Sequence, residues 1–212
     1  MQKEKRNNKR QSFLGIVSSF LLFFGSIIIV INLVDNQSKK IIEKKAMDDF
    51  FKVQNQVNQL EDIEENIEQE EEISNNKTYS YMAVIEIPKI KLKQGFFDKK
   101  SYYNHVDRNI KILNESDLPN KKFGNVILVG HSGIGQVAYF KKIHSLALED
   151  EIIIYYRKLK YIYKVLDIYD IDKTGYIKLK DWVDKSTLTL ITCHSNKDKQ
   201  IVVVSELVDI KK

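Results

Sequence analysis

Cysteine, proline and tryptophan are scarce in this sequence. Its 212 residues include one cysteine, two prolines and one tryptophan. A single cysteine cannot form an internal disulfide, so a folded domain must be stabilised by its core alone, and a metal site built from several cysteines is excluded. No two of the 4 histidines have the helical spacing of a zinc enzyme. The lone Cys193 is therefore a candidate for a chemical role.

An excess of charge of one sign along the whole chain is also lacking. The net charge is only +5, from 34 basic and 29 acidic residues. Basic residues crowd the first ten positions, whereas every charged residue within 61–72 is acidic. A uniformly basic nucleic-acid binder is not built in this way. We expect solvated faces and a membrane flank, and no nucleic-acid partner.

One long apolar run stands near the beginning of the sequence. Residues 13–34 carry no charge and are long enough to cross a hydrocarbon core of roughly 30 Å as a helix. A cleaved signal peptide is the alternative, but its apolar region is usually about 7–15 residues long, and no small-x-small cleavage site follows this run. We therefore expect an uncleaved transmembrane helix.

Charge predicts the orientation of that helix. The basic tail at residues 1–12 precedes the span, which favours a cytoplasmic amino terminus. Because no second apolar span follows, we expect a single-pass protein of the cell membrane whose remainder is extracellular.

Residues 35–78 read as a helical, partly acidic stalk. The part from 38 to 73 contains no glycine or proline and is rich in Lys, Glu, Gln and Asn, with a thin apolar stripe at helical spacing. A solvated helical spacer and a short coiled coil joining two copies both fit this pattern. Residues 74–77 favour a break, so we expect the folded domain at 79–212.

The domain at 79–212 has a mostly β pattern. Strand-like apolar runs recur between turn signals, at residues 82–87, 125–129, 151–156, 161–169, 186–192 and 200–208. Many short strands with few helices predict a closed or nearly closed barrel. Short helices are expected at 102–106 and 138–144.

Two strand ends carry the candidate chemistry. Strand alternation places Leu188 and Leu190 on one face and Cys193 on the other, with the more polar residues. A buried inert thiol is the alternative, because free cysteine often behaves as a small hydrophobe. His131 follows the run 125–129 by two positions, at the start of a loop, where its imidazole is free to exchange a proton. Together the two residues predict a nucleophile and its acid–base partner.

Four strings in this order resemble the sortase family, in a class A-like or related form. They are Val-Ile-Glu-Ile-Pro-Lys-Ile at 84–90, Gly-Asn-Val-Ile-Leu-Val-Gly-His at 124–131, Thr-Leu-Ile-Thr-Cys at 189–193 and Val-Val-Val-Ser-Glu-Leu at 202–207. The resemblance implies an eight-stranded β-barrel with short helices, behind an amino-terminal membrane helix and a helical stalk. It also implies a Gram-positive host.

The activity implied by the resemblance is transpeptidation. A sortase cleaves an LPxTG-like sorting signal near the carboxyl terminus of a secreted protein. It then joins the acyl fragment, through a thioester on its cysteine, to an amine of a cell-wall precursor or a pilin. Carried onto this sequence, Cys193 is the nucleophile, His131 the general acid and base, and Thr192 a substrate-holding residue.

The sequence departs from the family at the oxyanion partner. Sortases carry an arginine on the strand after the cysteine, and no arginine follows Cys193 here. Pairing Leu190 with Val203 places Gln200 opposite Cys193, whereas a shift of one residue places Lys199 there. Neither copies the planar fork of a guanidinium.

That departure leaves two further hypotheses beside the active transpeptidase. One is a catalytically weakened module that binds a sorting-like peptide without turnover, and the other is an assembly protein whose stalk is the functional part. The sequence supports no cofactor. Calcium binding near Asp167, Asp170 and Asp172 is the alternative to ordinary solvation of these residues.

Overall fold

The computed structural model describes residues 2–57, 79–174, 179–180, 182–194 and 198–212. The chain divides into two compact units, Met1–Lys44 and Lys45–Lys212. The predicted stalk beyond residue 57, its acidic run and the break at 74–77 lie outside the described residues.

A single helix, α1, spans Gln2–Val57. Its stretch Ser18–Gln54 includes a window with mean hydropathy of 2.0, and by length and composition it could cross a membrane. The large apolar side chains from Phe20 to Val34 are exposed, as a lipid-facing surface requires. The predicted span at 13–34 is helical throughout.

The end of α1 belongs to the second unit, where it packs on the β-domain. Ala46 is buried in an aromatic cluster with Tyr81 and Phe97. The Phe51 ring lies edge-on to Tyr155, with 5.3 Å between centroids. The sequence predicts a solvated spacer or a coiled coil here. In the structure, the apolar stripe of the helix instead packs against the β-domain of the same chain.

Eight strands form one sheet that curls into a nearly closed barrel. They are β1 (Ala83–Ile87), β2 (Leu92–Phe96), β3 (Lys111–Ile112), β4 (Asn125–Val129), β5 (Glu151–Tyr156), β6 (Leu159–Asp172), β7 (Thr187–Cys193) and β8 (Lys199–Lys211). Their order in the sheet is β2-β1-β5-β6-β8-β7-β4-β3. All six predicted runs are strands, and the mostly β prediction is confirmed.

The edge strands β2 and β3 have no apolar run of their own. Strand β2 reads Leu-Lys-Gln-Gly-Phe, and β3 has 2 residues. Gly95 is needed in β2 because a Cβ there would lie 2.1 Å from a ring carbon of Tyr81. Close packing of an aromatic ring thus places a glycine in a strand, which weakens the strand signal.

Neighbouring strands are antiparallel except β4 and β7, which are parallel. Alternate residues face the barrel interior and form the main core, which includes Leu128, Leu188 and Val203. The opposite face of the same strands carries a smaller apolar cluster, described with the site below.

Among the described residues of the barrel, helical structure consists of two short 3₁₀ turns. They are Pro88–Ile90 and Ile143–Ser145, and the second overlaps the helix predicted at 138–144. Residues 102–106 form turns, so the helix predicted there is wrong. Asn104 explains the difference, because its side chain accepts the Ile112 N–H and donates to the Lys99 carbonyl in place of a helical ladder.

Candidate active site

Cys193 is the last residue of β7. Its thiol is free and partly exposed. The preceding six residues of the strand are buried, so the thiol lies where the packed strand first meets solvent. The strand alternation places it on the outer face with Ile191, as the sequence predicts.

His131 follows β4 by two positions, and Gly130 positions it. A Cβ on Gly130 would lie 2.9 Å from ring carbons of Phe140, so only glycine allows this approach. The Phe140 N–H in turn donates to the His131 carbonyl at 3.0 Å. The backbone carrying the imidazole is therefore held on both sides.

The parallel pairing of β4 with β7 brings His131 and Cys193 to the same sheet edge. Val129 pairs with Ile191, and the Gly130 N–H donates to the Ile191 carbonyl at 3.2 Å. Extending the register by two residues, through Gly130 and Thr192, sets His131 beside Cys193, on chains about 4.8 Å apart. Among the described residues no hydrogen bond joins the thiol to the imidazole.

Thr192 ties the two strands together. Its hydroxyl donates to the Gly130 carbonyl at 2.7 Å, and the residue is 2% exposed. This bond fixes the residue before His131 to the residue before Cys193. The substrate-holding role implied for Thr192 stays a prediction.

The imidazole of His131 is bound by a residue that the sequence does not reveal. Its Nε2 lies 3.0 Å from Oδ1 of Asp107, in the loop between β2 and β3. The pKa of Asp107 is lowered, chiefly by this hydrogen bond, with smaller contributions from the charges of the neighbouring histidines and Arg108. Asp107 precedes His131 by 24 positions, and no sequence motif links the two.

Strand β8 places a glutamine, not an arginine, opposite the thiol. Cys193 pairs with Gln200, which confirms the first of the two predicted registers. Residues paired directly across an antiparallel ladder point to the same face. Lys199 precedes this pair in β8, so its side chain starts toward the other face.

The two arginines of the barrel are engaged elsewhere. Arg108 donates to the Tyr102 carbonyl at 3.0 Å and lies 3.9 Å from the centre of that ring. Arg157 sits at the turn between β5 and β6, over Tyr156. Neither lies on β8, where the family pattern has its arginine.

The outer face below Cys193 is apolar. Four buried residues cover it, and six partly buried residues pack on them: Ile127, Ile191, Val202 and Val204, then Leu113, Val129, Tyr169, Ile171, Leu179 and Trp182. We call this set the outer cluster. The indole N–H of Trp182 is buried there without a hydrogen-bond partner among the described residues.

No group of three or more His, Cys, Asp or Glu residues able to hold a metal occurs in the part of the chain that the structure describes. Of the acidic residues considered for calcium, Asp167 pairs with Lys180 at 2.6 Å. That ion pair neutralises one of the carboxylates on which a calcium site would depend.

The fold and the sequence of the β-domain match those of known proteins. The sequence model of the sortase domain matches residues 85–208, and no curated protein sequence matches the chain significantly. Among solved structures, a sortase D5 transpeptidase from Clostridium perfringens superposes with a TM-score of 0.58 at 21% identity, covering 79% of this chain and 99% of that one.

Two other solved structures cover most of the barrel. Sortase C1 from Streptococcus agalactiae has a TM-score of 0.56 at 25% identity, over 66% of this chain and 72% of that one. The lid mutant of sortase A from Corynebacterium diphtheriae has a TM-score of 0.55 at 23% identity, over 61% and 70%. These likenesses establish the fold, and the match to the sortase domain over more than half of the sequence establishes the family. The chain belongs to the sortase family of cysteine transpeptidases.

Proposed function

We propose that this protein cleaves an LPxTG-like sorting signal of secreted proteins and joins the acyl fragment to an amine through a thioester on Cys193. The observation that carries the proposal is the parallel pairing of β4 with β7, which sets His131 and Cys193 at the same edge of the barrel. A thiol at the end of a buried strand and an imidazole at the same sheet edge support this proposal, because a short approach of the two side chains would pair a nucleophile with its base.

In the acylation step, the thiolate of Cys193 attacks the carbonyl carbon before the scissile bond. The resulting tetrahedral intermediate collapses as the C–N bond breaks, and the imidazolium of His131 donates its proton to the departing amine. The products of this step are a thioester on Cys193 and a neutral imidazole.

In the deacylation step, neutral His131 takes a proton from the incoming amine, which attacks the thioester carbonyl. The C–S bond breaks, a new amide forms and Cys193 leaves as the thiolate. The imidazolium and thiolate are thereby restored. Attack by an amine gives transpeptidation, whereas attack by water would give hydrolysis.

Gln200 is the proposed donor to the oxyanion. It faces the same side of the sheet as the thiol, and no hydrogen bond engages its side-chain amide among the described residues. A neutral amide stabilises an oxyanion less than a guanidinium does, because it offers one directed dipole and no charge. We therefore propose a slower chemical step than an arginine would support.

The outer cluster is proposed to receive the apolar part of the sorting signal. It lies on the same face as Cys193 and is built from apolar side chains on β4, β7 and β8. Helix α1 is proposed to anchor the enzyme in the cell membrane, with the barrel outside the cell. The amine partner would then be a cell-wall precursor or a pilin.

Mass spectrometry of the full chain in detergent tests the thioester. The protein is mixed with a panel of LPxTG-like peptides, with and without a peptide carrying a free α-amine. We expect an acyl adduct on Cys193 without the amine, and its conversion to the joined product with the amine. The variant C193A should give neither species.

The absence of an arginine opposite Cys193 favours one second candidate, a module that binds the sorting peptide without turnover. Fluorescence anisotropy of labelled peptides separates the two. Saturable binding by the wild type, with no adduct over many hours and no joined product, would support the binding module and contradict the transpeptidase.

A further inference from the structure

We propose that Asp107 is the positioning residue of this site: its carboxylate holds the imidazole of His131 by Nε2 and presents Nδ1 to the thiol and the substrate. The inference rests on the proposed function for its catalytic consequence. The interaction itself can be tested without turnover.

The geometry of the imidazole supports this assignment. Nε2 lies 3.0 Å from Asp107 Oδ1, an ordinary length for an N–H···O hydrogen bond. Nδ1 has no hydrogen-bond partner among the described residues. With Nε2 occupied by an acceptor, Nδ1 is the nitrogen left to exchange a proton, and a third group that orients a base is the arrangement typical of activated nucleophiles.

The loop that carries Asp107 is fixed at both ends by a buried asparagine. Asn104 accepts the Ile112 N–H at 2.8 Å and donates to the Ile112 carbonyl at 3.0 Å. Asn109 is 1% exposed, and its side-chain oxygen accepts the Ile110 N–H at 2.6 Å and a Gln94 donor at 3.4 Å. The Nδ2 of Asn109 is buried without a partner among the described residues, so Asn104, which uses both its oxygen and its Nδ2, is the better bonded of the two.

The turn between these two asparagines fixes the direction of the Asp107 carboxylate. The backbone N–H groups of Arg108 and Asn109 both donate to the His105 carbonyl, at 2.9 and 2.8 Å. The Asp107 N–H donates to His105 Nδ1 at 3.3 Å, so the backbone of Asp107 is itself hydrogen-bonded within the turn.

The other ionisable side chains around Asp107 do not compete with His131 for its Oδ1. Arg108 is committed to Tyr102 through a hydrogen bond and the face of the ring. His105 Nδ1 lies 3.4 Å from Oδ2, the other carboxylate oxygen. Beyond these two groups and His131, the described titratable groups at this sheet edge include Cys193, His194 and Lys199.

The electrostatic effect is modest because both side chains are exposed, Asp107 by 70% and His131 by 41%. Hydrogen bonding to His131 lowers the pKa of Asp107, so the carboxylate is ionised throughout a neutral assay range. Opposite charges stabilise each other reciprocally, and solvent and salt screen the interaction. Orientation of the ring is therefore expected to contribute as much as charge.

In the reaction, Asp107 keeps its charge and exchanges no proton. The imidazolium gives its Nδ1 proton to the departing amine, and neutral His131 later takes a proton at Nδ1 from the incoming amine. The hydrogen bond from Nε2–H to Asp107 persists through both steps. The neutral ring therefore keeps its proton on Nε2 and leaves Nδ1 free to accept one.

Three variants of the full chain separate orientation from charge. D107N retains an acceptor of the same shape without the charge, D107A removes both, and D107E restores the charge on a longer side chain. E149Q is the matched control, because Glu149 is an exposed carboxylate, 75% accessible, that pairs with exposed Lys164 away from the strands β4 and β7.

The first measurement is the ¹⁵N NMR spectrum of the His131 ring, which reports the ring nitrogen that carries the proton. We expect the neutral wild-type ring to carry its proton on Nε2, and D107A to lose that preference because the acceptor is removed. E149Q should leave the ring signals unchanged. Identical ring signals in D107A and the wild type would overturn the inference whether or not the enzyme turns over.

The second measurement is kcat/KM for joining, at one pH for all variants. We expect a loss of about 2–5-fold in D107N and a larger loss of about 10-fold in D107A. D107E should recover part of the loss. Equal activity of D107A and the wild type would overturn the positioning role, whereas absence of joining in the wild type would contradict the proposed function instead.

Discussion

The two faces of β7 differ in what lies against them, although both are buried. Leu190 faces the barrel interior, where a large apolar core surrounds it. Ile191, one residue later, faces outward into the outer cluster, whose buried members number only four. Both residues are 0% exposed. Burial alone therefore does not distinguish a core from a binding surface; the size of the cluster and the chemistry at its end do.

The side-chain period of two residues lets one strand serve both purposes. Leu188 and Leu190 stabilise the barrel, while Ile191 and Cys193 line the face where the reaction is proposed to occur. A change on one face should thus leave the function of the other intact. The predictions below use this separation, beginning with the largest expected effect.

Replacing Cys193 with Ala should abolish joining while leaving stability almost unchanged. The thiol is partly exposed at the strand end, so its removal creates little cavity. Product formation and urea unfolding of the same preparation measure the two effects. Detectable joining by C193A would remove the thiol from the mechanism.

Truncating one side chain on each face of β7 should separate the contributions of the two faces to stability and to peptide binding. We expect L190A and I191A each to cost about 2–5 kcal/mol in the free energy of unfolding, with L190A the more costly because its cavity lies in the larger core. Below the unfolding transition, L190A should keep the wild-type KM for the sorting peptide and I191A should raise it. An unchanged KM in I191A would contradict the proposed peptide surface.

Substitutions on β8 test the oxyanion donor. We expect Q200A to lower kcat by roughly 10²–10³-fold, because one donor aimed at the developing charge is lost. Q200R should raise kcat, since a guanidinium adds charge and a second donor. K199A is the matched control and should change little; a larger loss in K199A would assign the role to the lysine.

The turn between β5 and β6 offers a stability change remote from the outer face. Arg157 and Lys158 have φ values of 47° and 64°, the left-handed conformation that a two-residue hairpin requires at both positions. Each such residue costs about 1 kcal/mol relative to one that adopts it freely. The double variant R157N/K158G should stabilise the barrel by up to about 2 kcal/mol in thermal or urea unfolding, with joining unchanged.

The sequence is most informative where local pattern and structure coincide. Alternation in 187–193 predicts which residues face inward, and pairing Leu190 with Val203 predicts Gln200 opposite Cys193, as the structure has it. The edge strand β2 could not be predicted, because packing of Tyr81 over Gly95 places a glycine within it and a glycine weakens the strand signal.

Asp107 could not be predicted from the sequence for a different reason. Its contact with His131 depends on a turn fixed by two buried asparagines, and an asparagine in a loop sequence ordinarily indicates an exposed turn. The contacts of the α1 end with the barrel are likewise tertiary. A thin apolar stripe indicates that a helix packs against something, but not which surface it meets.

The parallel contact of β4 with β7 also governs when activity can arise during folding. Gly130 and Thr192 are joined by a hydrogen bond across 62 positions of the chain. The intervening segment includes the whole β5–β6 hairpin, so closing this contact requires a long loop to be ordered first. We expect the thiol and the imidazole to meet only in the completed barrel, so a partly folded chain would carry an ordinary, unassisted cysteine and could not acylate itself prematurely.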